Sequence, residues 1–342
     1  MDYLQLWNFI LWAGGTFRSF TFLELSYLEW IGLLWTLAWI VYCIPYFINT
    51  LYCIWIAPVL GHYANLRKMG KWAVVTGASD GIGKAYAEEI ARLGVNVVLI
   101  SRSKSKLDDL ARELGEKFGV QTKVVSVDFT EGLHIYDEIQ KELEGLEIGT
   151  LVNNIGIFYP YVEYFTERPN ARKHSQDMIF CNVFPVTFMT HMILPQMCSR
   201  GRGVIINIGS YLGTIPCPLN SMYSGTKAFT ERFTESLSME YEKSGVIIQA
   251  VIPEYVSTRM SGVTKPSWTT PSAKEYVRKA LKTVGVESRT SVYIPHRLAI
   301  LAHETGIFLW RRFGSRAIFN VFLHLRANSK HRLAVLKQSQ RT

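Results

Sequence analysis

Short apolar runs rich in β-branched residues alternate with amphipathic helical stretches from Lys71 onward. Such alternation is typical of parallel strands that are joined by crossover helices. The runs predict strands at residues 72–76, 96–101, 122–127, 150–153, 204–208 and 246–252. Helices are predicted between them, for example at residues 84–93 and 104–118, and each of these two is followed by a glycine that can end a helix. The sequence therefore predicts an α/β fold built on a doubly wound parallel sheet.

A glycine-rich segment directly follows the first predicted strand and reads Thr76-Gly77-Ala78-Ser79-Asp80-Gly81-Ile82-Gly83. Glycines let the backbone turn sharply and approach a pyrophosphate, whose charge would meet the N–H groups and the positive end of the next helix. Because the segment joins a strand to a helix at the start of the sheet pattern, it predicts a Rossmann-type nucleotide site. Its candidate cofactor-binding residues are Gly77, Ser79, Asp80, Gly81, Ile82 and Gly83.

The end of the second predicted strand indicates which dinucleotide is bound. An acidic residue there would accept a hydrogen bond from a ribose 2′-hydroxyl, whereas a cation would bind a 2′-phosphate. The strand ends Ile100-Ser101-Arg102, so the sequence predicts NADPH/NADP+ rather than NADH, with a merely solvated arginine as the alternative. The other candidate cofactor-binding residues toward the carboxyl ends of the strands are Lys106, Asp128, Asn154 and Gly156.

Three side chains later in the sequence predict the chemistry. Tyr223 and Lys227 are one helical turn apart and share one face of a predicted helix. A tyrosine with a pKa of about 10 exchanges protons poorly at neutral pH unless a nearby ammonium favours the phenolate, and Lys227 would provide that charge and bind the nicotinamide ribose. Ser210 would polarise a substrate carbonyl while Tyr223 supplies the proton. Alone, Ser210 would more often be a capping residue, so the prediction depends on the three residues together.

The order of these motifs resembles the short-chain dehydrogenase/reductase family over about residues 71–260. The shared motifs are Thr-Gly-x3-Gly-Ile-Gly, Asn-Asn-x-Gly, Ser and Tyr-x3-Lys. The resemblance implies that Asn182 anchors a proton-relay water and that Val256 and Thr258 contact the cofactor. The family's Pro-Gly-x-Val-x-Thr reads Pro253-Glu254-Tyr255-Val256-Ser257-Thr258 here, which places a Glu254 side chain near the nicotinamide.

Residues 70–77, 99–104 and 145–154 resemble a membrane-bound branch of that family more closely. The branch contains very-long-chain 3-oxoacyl-CoA reductases, 17β-hydroxysteroid dehydrogenases and hydroxysteroid dehydrogenase-like proteins. It implies a lipid-like ketone substrate, and we expect a long-chain 3-oxoacyl-CoA of fatty acid elongation in preference to a 17-ketosteroid. A noncatalytic hydroxysteroid dehydrogenase-like membrane protein is a further alternative, because residues 158–161 resemble such proteins, although Tyr223 and Lys227 are both present.

A long uncharged segment predicts a membrane anchor. No Asp, Glu, Lys or Arg lies between Glu29 and Arg67, and about 20 apolar helical residues suffice to cross a bilayer. A span is predicted within residues 30–60, with a hairpin as the alternative because Pro45 and Asn49 interrupt the segment. Basic residues follow the segment and acidic residues precede it, which predicts a catalytic domain in the cytosol. The resemblance implies the endoplasmic reticulum membrane, with a mitochondrion or lipid droplet as alternatives because the sequence ends without a dilysine signal.

The last part of the sequence holds most of the excess positive charge. The net charge is +9, and from Arg297 onward nine Lys or Arg residues accompany one acidic residue, Glu304. Because apolar residues interleave with these cations, we expect amphipathic basic helices on an anionic membrane surface, with a solvated basic tail as the alternative. Arg297, Arg311 and Arg312 would attract the phosphates of CoA if they lay near the cleft.

The predicted organisation has three parts. They are an N-terminal membrane-anchoring region (1–66), a short-chain dehydrogenase/reductase catalytic domain (67–296) and a basic membrane-associated tail (297–342). The predicted partners are a lipid-like ketone and a membrane, and a homodimer is left open. Nucleic acid is not predicted as a partner, because a basic tail on an anchored protein more readily serves the membrane. The five cysteines show no metal-type spacing, so reduced thiols and no metal are predicted.

Overall fold

The computed structural model describes residues 27–159, 161–309, 316 and 318–328. The chain divides into two compact units after Ile56. The described part of the first unit consists of helix α1 (Tyr27–Leu51) and a π-helical turn (Tyr52–Ile56). The second unit contains the sheet and all other described elements.

A seven-stranded parallel sheet forms the centre of the second unit. Its strands are β1 (Trp72–Thr76), β2 (Asn96–Ser101), β3 (Thr122–Ser126), β4 (Ile148–Asn153), β5 (Gly203–Ile208), β6 (Val246–Val251) and β7 (Arg289–Thr290). Their spatial order is β3-β2-β1-β4-β5-β6-β7, so the chain moves outward from β1 to β3 and then crosses back to β4. This reversal opens a crevice at the carboxyl ends of β1 and β4, which is where doubly wound sheets bind ligands.

Helices cover both faces of the sheet. The described α-helices of the second unit are α2 (Ala57–Leu60), which continues the N-terminal helical stretch, α3 (Gly81–Arg92), α4 (Lys104–Phe118), α5 (Ile135–Leu143), α6 (Ala171–Asn182), α7 (Phe184–Ser199), α8 (Tyr211–Thr214), α9 (Ser221–Glu240), α10 (Ala273–Leu281) and α11 (Ile294–Leu309). Residues 318–328 form a further helix, the C-terminal helix. One apolar cluster joins α3, α4 and α10 to the sheet, and a second joins α5 and α7 to its other face. Because both faces are covered, every residue of β4 and β5 is buried.

The doubly wound parallel sheet predicted from the sequence is confirmed, and the six predicted strands are present with ends that differ by at most two residues. Strand β7 was not predicted, because two residues are too short for a periodic pattern. Helix α3 begins at Gly81, earlier than predicted, because the Asp80 carboxylate caps it by accepting a hydrogen bond from the Gly81 N–H at 2.8 Å.

Helix α1 carries large apolar side chains that are exposed, among them Trp35 and Val41 at 61% and 62%. The helical stretch Tyr27–Leu60 is 34 residues long and apolar enough to cross a membrane by length and composition. It continues past Pro45 without reversing, so the described residues do not form the hairpin. The stretch Ala171–Ser199 passes the same test, but half of its apolar window is buried, as expected of helices that belong to a protein core.

Arg297, at the start of the predicted tail, is buried in the second unit. Its side chain lies on α11, donates from Nε to the carbonyl of Ser291 at 2.7 Å and forms an ion pair with Glu287. A guanidinium engaged in this way does not attract an incoming phosphate, so the prediction that Arg297 draws CoA to the cleft is wrong. Arg311 and Arg312 lie outside the described residues.

Candidate active site

The loop between β1 and α3 is shaped by its glycines. Gly77 and Gly81 have φ angles of 65° and 56°, in the left-handed region that favours glycine. A Cβ at Gly83 would lie 2.2 Å from the carbonyl oxygen of Gly77 and 2.4 Å from Nδ2 of Asn154, so α3 begins in direct contact with the loop. The first N–H groups of α3 thereby face the crevice at the end of β1. We call the loop of residues 77–83 together with these N–H groups the glycine cradle, and its shape fits the pyrophosphate of a dinucleotide.

Asn154 ties the glycine loop to the end of β4. Its Nδ2 donates to the carbonyls of Thr76 and Gly77 at 3.0 and 3.3 Å, and its main-chain N–H donates to Oγ1 of Thr76 at 3.0 Å. The Thr76 hydroxyl in turn donates to the carbonyl of Val152 at 3.3 Å. Sequence reasoning missed Thr76 as a residue that positions the site; its only signal was a polar residue at the end of a buried strand.

The ends of β2 and β3 bring several predicted cofactor-binding residues to the same edge of the sheet. Arg102 is 74% exposed at its side chain, and its Nη1 lies 4.0 Å from Oδ2 of Asp128. The Ser79 hydroxyl lies 2.9 Å from the Ser101 hydroxyl and links the glycine loop to β2. Lys106 is exposed on the first turn of α4. Two exposed cations, Arg102 and Lys106, therefore lie between the end of β2 and the first turn of α4.

Ser210 and Tyr223 come together although Ser210 lies between β5 and α8 and Tyr223 lies on α9. Ser210 caps α8, because its Oγ accepts a hydrogen bond from the Leu212 N–H at 3.2 Å. Tyr223 is 7% exposed, and the Phe158 ring packs edge-on against its ring with centroids 4.7 Å apart. Burial raises the pKa of Tyr223 above its ordinary value, and a hydrogen bond with the Ser210 side chain opposes this rise. The phenol is therefore protonated at neutral pH and can donate a proton to a bound oxygen.

Lys227 lies beside Tyr223 in the interior. Its Nζ donates to the carbonyl of Ile208 at 2.8 Å and is 6.0 Å from the centre of the Tyr223 ring. Burial lowers the pKa of Lys227 to about 8. The ammonium form, which is present at neutral pH, favours the phenolate that remains after Tyr223 gives up its proton.

Asn182 ends α6 and fixes the backbone next to Lys227. Its Oδ1 accepts from the Ile157 N–H at 2.8 Å, and its Nδ2 donates to the Ile157 carbonyl and to Oγ1 of Thr226, both at 3.1 Å. A Cβ at Gly156 would lie 3.3 Å from Oδ1 of Asn182 and 3.5 Å from Nζ of Lys227. Gly156 therefore lets these two side chains meet the chain that leaves β4.

The segment after β6 reaches back to the glycine loop. Val256 is buried, and a Cβ at Gly81 would lie 3.2 Å from Cγ2 of Thr258. Arg259 forms an ion pair with Asp80 at 2.7 Å across the same gap, and sequence reasoning missed it because no local pattern joins residues so far apart. Glu254, which replaces the glycine of the family pattern, is half-buried; burial raises the pKa of its carboxyl, and His303 opposes this rise.

Residues 71–267 match the family described as short chain dehydrogenase. This match covers more than half of the 342 residues, and the fold and site agree with it. The chain belongs to the short-chain dehydrogenase family, as the sequence motifs predicted.

Its relatives include proteins named for one reaction. The chain is 52% identical to the very-long-chain 3-oxoacyl-CoA reductase of Anas platyrhynchos over 228 residues, which are 67% of this chain and 73% of that protein. It is 44% identical to the Homo sapiens protein of the same name over 274 residues, which are 80% of this chain and 86% of the human protein.

Solved structures share the fold. A 7β-hydroxysteroid dehydrogenase is 27% identical and superposes with a TM-score of 0.64, covering 73% of this chain and 95% of that one. A short-chain dehydrogenase from Sphingobium yanoikuyae in complex with NADPH is 29% identical, with a TM-score of 0.59, and covers 70% of this chain and 94% of that one. The family binds NAD or NADP, and the glycine cradle fits that role.

Proposed function

We propose that this chain reduces the 3-oxo group of a long-chain 3-oxoacyl-CoA with NADPH, as a step of fatty acid elongation. The observation that carries the proposal is the meeting of Ser210, Tyr223 and Lys227 beside the glycine cradle, in a chain whose relatives are named very-long-chain 3-oxoacyl-CoA reductases. The same observation disfavours the alternative of a noncatalytic hydroxysteroid dehydrogenase-like protein. A protein without catalytic activity would not require a buried lysine next to a buried tyrosine.

The proposed roles follow from position and charge. The carbonyl oxygen of the substrate accepts hydrogen bonds from the Ser210 hydroxyl and the Tyr223 phenol, and Tyr223 then transfers its proton to that oxygen. Lys227 stabilises the resulting phenolate, and Asn182 holds the Ile157 backbone beside it. The nicotinamide, when bound, supplies the hydride to the carbonyl carbon.

The choice of NADPH rests on the edge of the sheet near β2. Arg102 and Lys106 are both exposed there, and a 2′-phosphate would meet them next to the glycine loop. We include Gly77, Ser79, Asp80, Gly81, Ile82, Gly83, Asp128, Asn154, Gly156, Val256 and Thr258 in the same cofactor site. The solved relative from Sphingobium yanoikuyae in complex with NADPH supports the choice at the level of the family.

A 17-ketosteroid is the second candidate substrate, because a hydroxysteroid dehydrogenase is among the similar solved structures. We favour the acyl-CoA because the relatives of higher identity carry that name over most of their length. The exposed apolar stretch Tyr27–Leu60 supports a membrane setting, where a long acyl chain also resides. We propose the endoplasmic reticulum membrane with the catalytic domain in the cytosol, and the three-part organisation 1–66, 67–296 and 297–342.

The test is a substrate panel with purified full-length protein in detergent and NADPH. We expect oxidation of NADPH with long-chain 3-oxoacyl-CoA at a higher kcat/KM than with any 17-ketosteroid. Tyr223→Phe should lower kcat by about 100- to 10,000-fold, the usual contribution of a general acid, while NADPH still binds. Turnover of 17-ketosteroids alone would select the second candidate, and equal rates for wild type and Tyr223→Phe would contradict the mechanism.

A further inference from the structure

The C-terminal helix packs against the side of the catalytic domain that carries Ser210. Phe322 is 8% exposed and belongs to an apolar cluster, here named the tail cluster. Its members include Val162, Tyr211, Ile215, Leu219, Ile252 and Phe322, and Ile318, Phe319 and Leu323 of the same helix pack against it. Because Tyr211 directly follows Ser210 in the sequence, the tail cluster begins next to the catalytic serine.

Contacts between apolar side chains connect Tyr223 to Phe322. Leu212 packs against the tail cluster and also against a second cluster, which contains Tyr223, Tyr159 and Met178. A substrate whose carbonyl lies at Ser210 and Tyr223 has to place its hydrocarbon chain on apolar surface, since exposing it to water costs free energy with every methylene. Leu212 is half-buried, so a hydrocarbon chain that leaves Tyr223 would meet apolar side chains there first, and the buried residues beyond it, up to Phe322, would limit how far the chain extends.

Arg326 fixes the C-terminal helix to the chain segment 161–168. Its Nε donates to the Glu163 carboxylate, its Nη2 donates to Oε2 of Glu167 at 2.7 Å, and its guanidinium lies 4.6 Å from the centre of the Tyr164 ring. Glu163 is only 5% exposed, so its contact with Arg326 is shielded from solvent, whereas the Glu167 side chain is 55% exposed. A planar guanidinium can make the two carboxylate contacts together, which a lysine ammonium could not reproduce with the same geometry.

Segment 161–168 in turn contacts the surroundings of Tyr223. The Glu163 N–H donates to the Leu219 carbonyl at 3.1 Å, four residues before Tyr223 in the sequence. Arg168 donates to the Tyr161 carbonyl at 3.0 Å, and its guanidinium lies 3.4 Å from the centre of the Tyr159 ring. Tyr159 belongs to the cluster of Tyr223, so contacts connect Arg326 to the catalytic tyrosine.

We propose that the C-terminal helix is a wall of the substrate site, with Phe322 as a specificity-determining residue that limits the room for the acyl chain. Arg326 is a positioning residue, because it acts through Glu163 and Glu167 on segment 161–168. The inference rests on the proposed function, since it assigns the space for an acyl chain in a reductase of 3-oxoacyl-CoA.

Two substitutions at Phe322 test the wall in opposite directions. Phe322→Ala adds room, so the ratio of kcat/KM for the longest to that for the shortest chain in a series of 3-oxoacyl-CoA substrates should rise by roughly tenfold. Phe322→Trp removes room, so the same ratio should fall by a similar factor. Val321→Ala, a change at the neighbouring residue that is 58% exposed, is the control and should leave the ratio unchanged. Binding of NADPH, measured by fluorescence, shows that each variant is folded.

Substitutions of Arg326 and of Arg316, which carry the same charge, test whether Arg326 positions segment 161–168. Arg326→Ala should raise KM for 3-oxoacyl-CoA by roughly tenfold with little change in KM for NADPH, because only the substrate wall is loosened. Arg316→Ala removes an exposed cation with the same loss of charge and should leave both constants unchanged. Arg326→Lys keeps the charge and should restore KM only in part. Equal effects of Arg326→Ala and Arg316→Ala would overturn the positioning role and leave only a general effect of charge.

Different results would contradict the proposed function and the proposed wall of the substrate site. If wild-type protein reduces no 3-oxoacyl-CoA, the proposed function is wrong and the wall for an acyl chain is lost with it. If wild type reduces the series but Phe322→Ala and Phe322→Trp both keep the wild-type chain-length profile, the function stands and the wall is wrong. Opposite shifts in the two variants support the wall, because a loss of folding alone would move both in the same direction.

Discussion

In the proposed mechanism, Lys227 has to keep a positive charge at a buried position, where burial disfavours the charged form. Burial lowers its pKa to about 8, so the ammonium is present below that pH and is lost above it. If the ammonium stabilises the Tyr223 phenolate as proposed, kcat/KM for the ketone should fall above pH of about 8, by up to about tenfold per pH unit. The measurement is a pH profile of kcat/KM with saturating NADPH, and a profile that stays flat up to pH of about 10 would contradict the assignment.

The same pKa predicts how stability depends on pH. An unfolded lysine keeps its proton up to its ordinary pKa of 10.5, whereas folded Lys227 loses it at about 8, so the unfolded state binds more protons between these values. The contribution of Lys227 to the free energy of unfolding should therefore rise with pH across that window, by about 3 kcal/mol in total. Melting curves of wild type and Lys227→Met at several pH values measure the difference, which should be constant below pH 8.

Arg102 offers a test of cofactor choice at a single residue. Arg102→Asp replaces the cation beside the glycine loop by an acid, which would repel a 2′-phosphate and accept a hydrogen bond from a 2′-hydroxyl. The ratio of kcat/KM for NADPH to that for NADH should fall by roughly 10- to 100-fold. Arg112→Asp, on the exposed side of α4, is the matched control and should leave the ratio unchanged.

At the junction of β1 and α3, the close approach of loop and helix requires glycine. A Cβ at Gly83 would lie 2.2 Å from the Gly77 carbonyl oxygen, so Gly83→Ala has to move the helix or the loop. We expect a loss of about 1–3 kcal/mol in stability, as for other overpacked sites, and NADPH affinity weakened at least roughly tenfold because the cradle is displaced.

Gly115 on α4 provides the control for this prediction. A Cβ there would meet nothing closer than 3.8 Å, and glycine inside a helix is less favourable than alanine. Gly115→Ala should therefore raise stability by about 0.5–1 kcal/mol and leave NADPH affinity unchanged. Thermal melts and NADPH titrations of the two variants give the comparison. A Gly83→Ala protein that binds NADPH as tightly as wild type would show that the cradle tolerates a side chain.

The sequence predicted those elements whose signals are local. Strands β1 and β2 have the predicted bounds, because each is a short apolar run between polar residues. The contacts of Thr76 with Asn154, of Asp80 with Arg259 and of Glu163 with Arg326 could not be predicted, since each joins residues far apart in the chain. The burial of Arg297 was missed because no sequence pattern pairs it with Glu287, which lies in the loop before β7.

At the scale of the whole molecule, a catalytic unit follows a long apolar helix. The stretch Tyr27–Leu60 has 34 residues, or about 51 Å at 1.5 Å per helical residue, and the hydrocarbon core of a bilayer is about 30 Å thick. Its exposed tryptophans and aliphatic residues match a lipid environment. A long-chain acyl-CoA divides itself between bilayer and cytosol, so an enzyme held at the membrane surface would meet both parts of its substrate.

Removal of the proposed membrane anchor should separate membrane attachment from folding. A chain that begins at Gly61 lacks the apolar stretch but retains Ala64, whose N–H donates to the Val284 carbonyl at 2.8 Å, and Leu66, which packs in the core beside α3 and α10. We therefore expect this shortened protein to bind NADPH and to melt within a few degrees of the full-length protein. Full-length protein should remain with membranes in alkaline carbonate, whereas the shortened protein should be released.

Any attachment that the shortened protein keeps should depend on charge. Basic residues of the tail would hold it to anionic lipid, and exposed charges are screened beyond about 10 Å at 0.1 M salt. Its binding to anionic vesicles should therefore decrease as salt is raised, and its binding to neutral vesicles should be weak at any salt concentration. Release of the full-length protein by carbonate alone would contradict the membrane span, and tight binding of the shortened protein to neutral vesicles would locate a second apolar anchor within the catalytic unit or its tail.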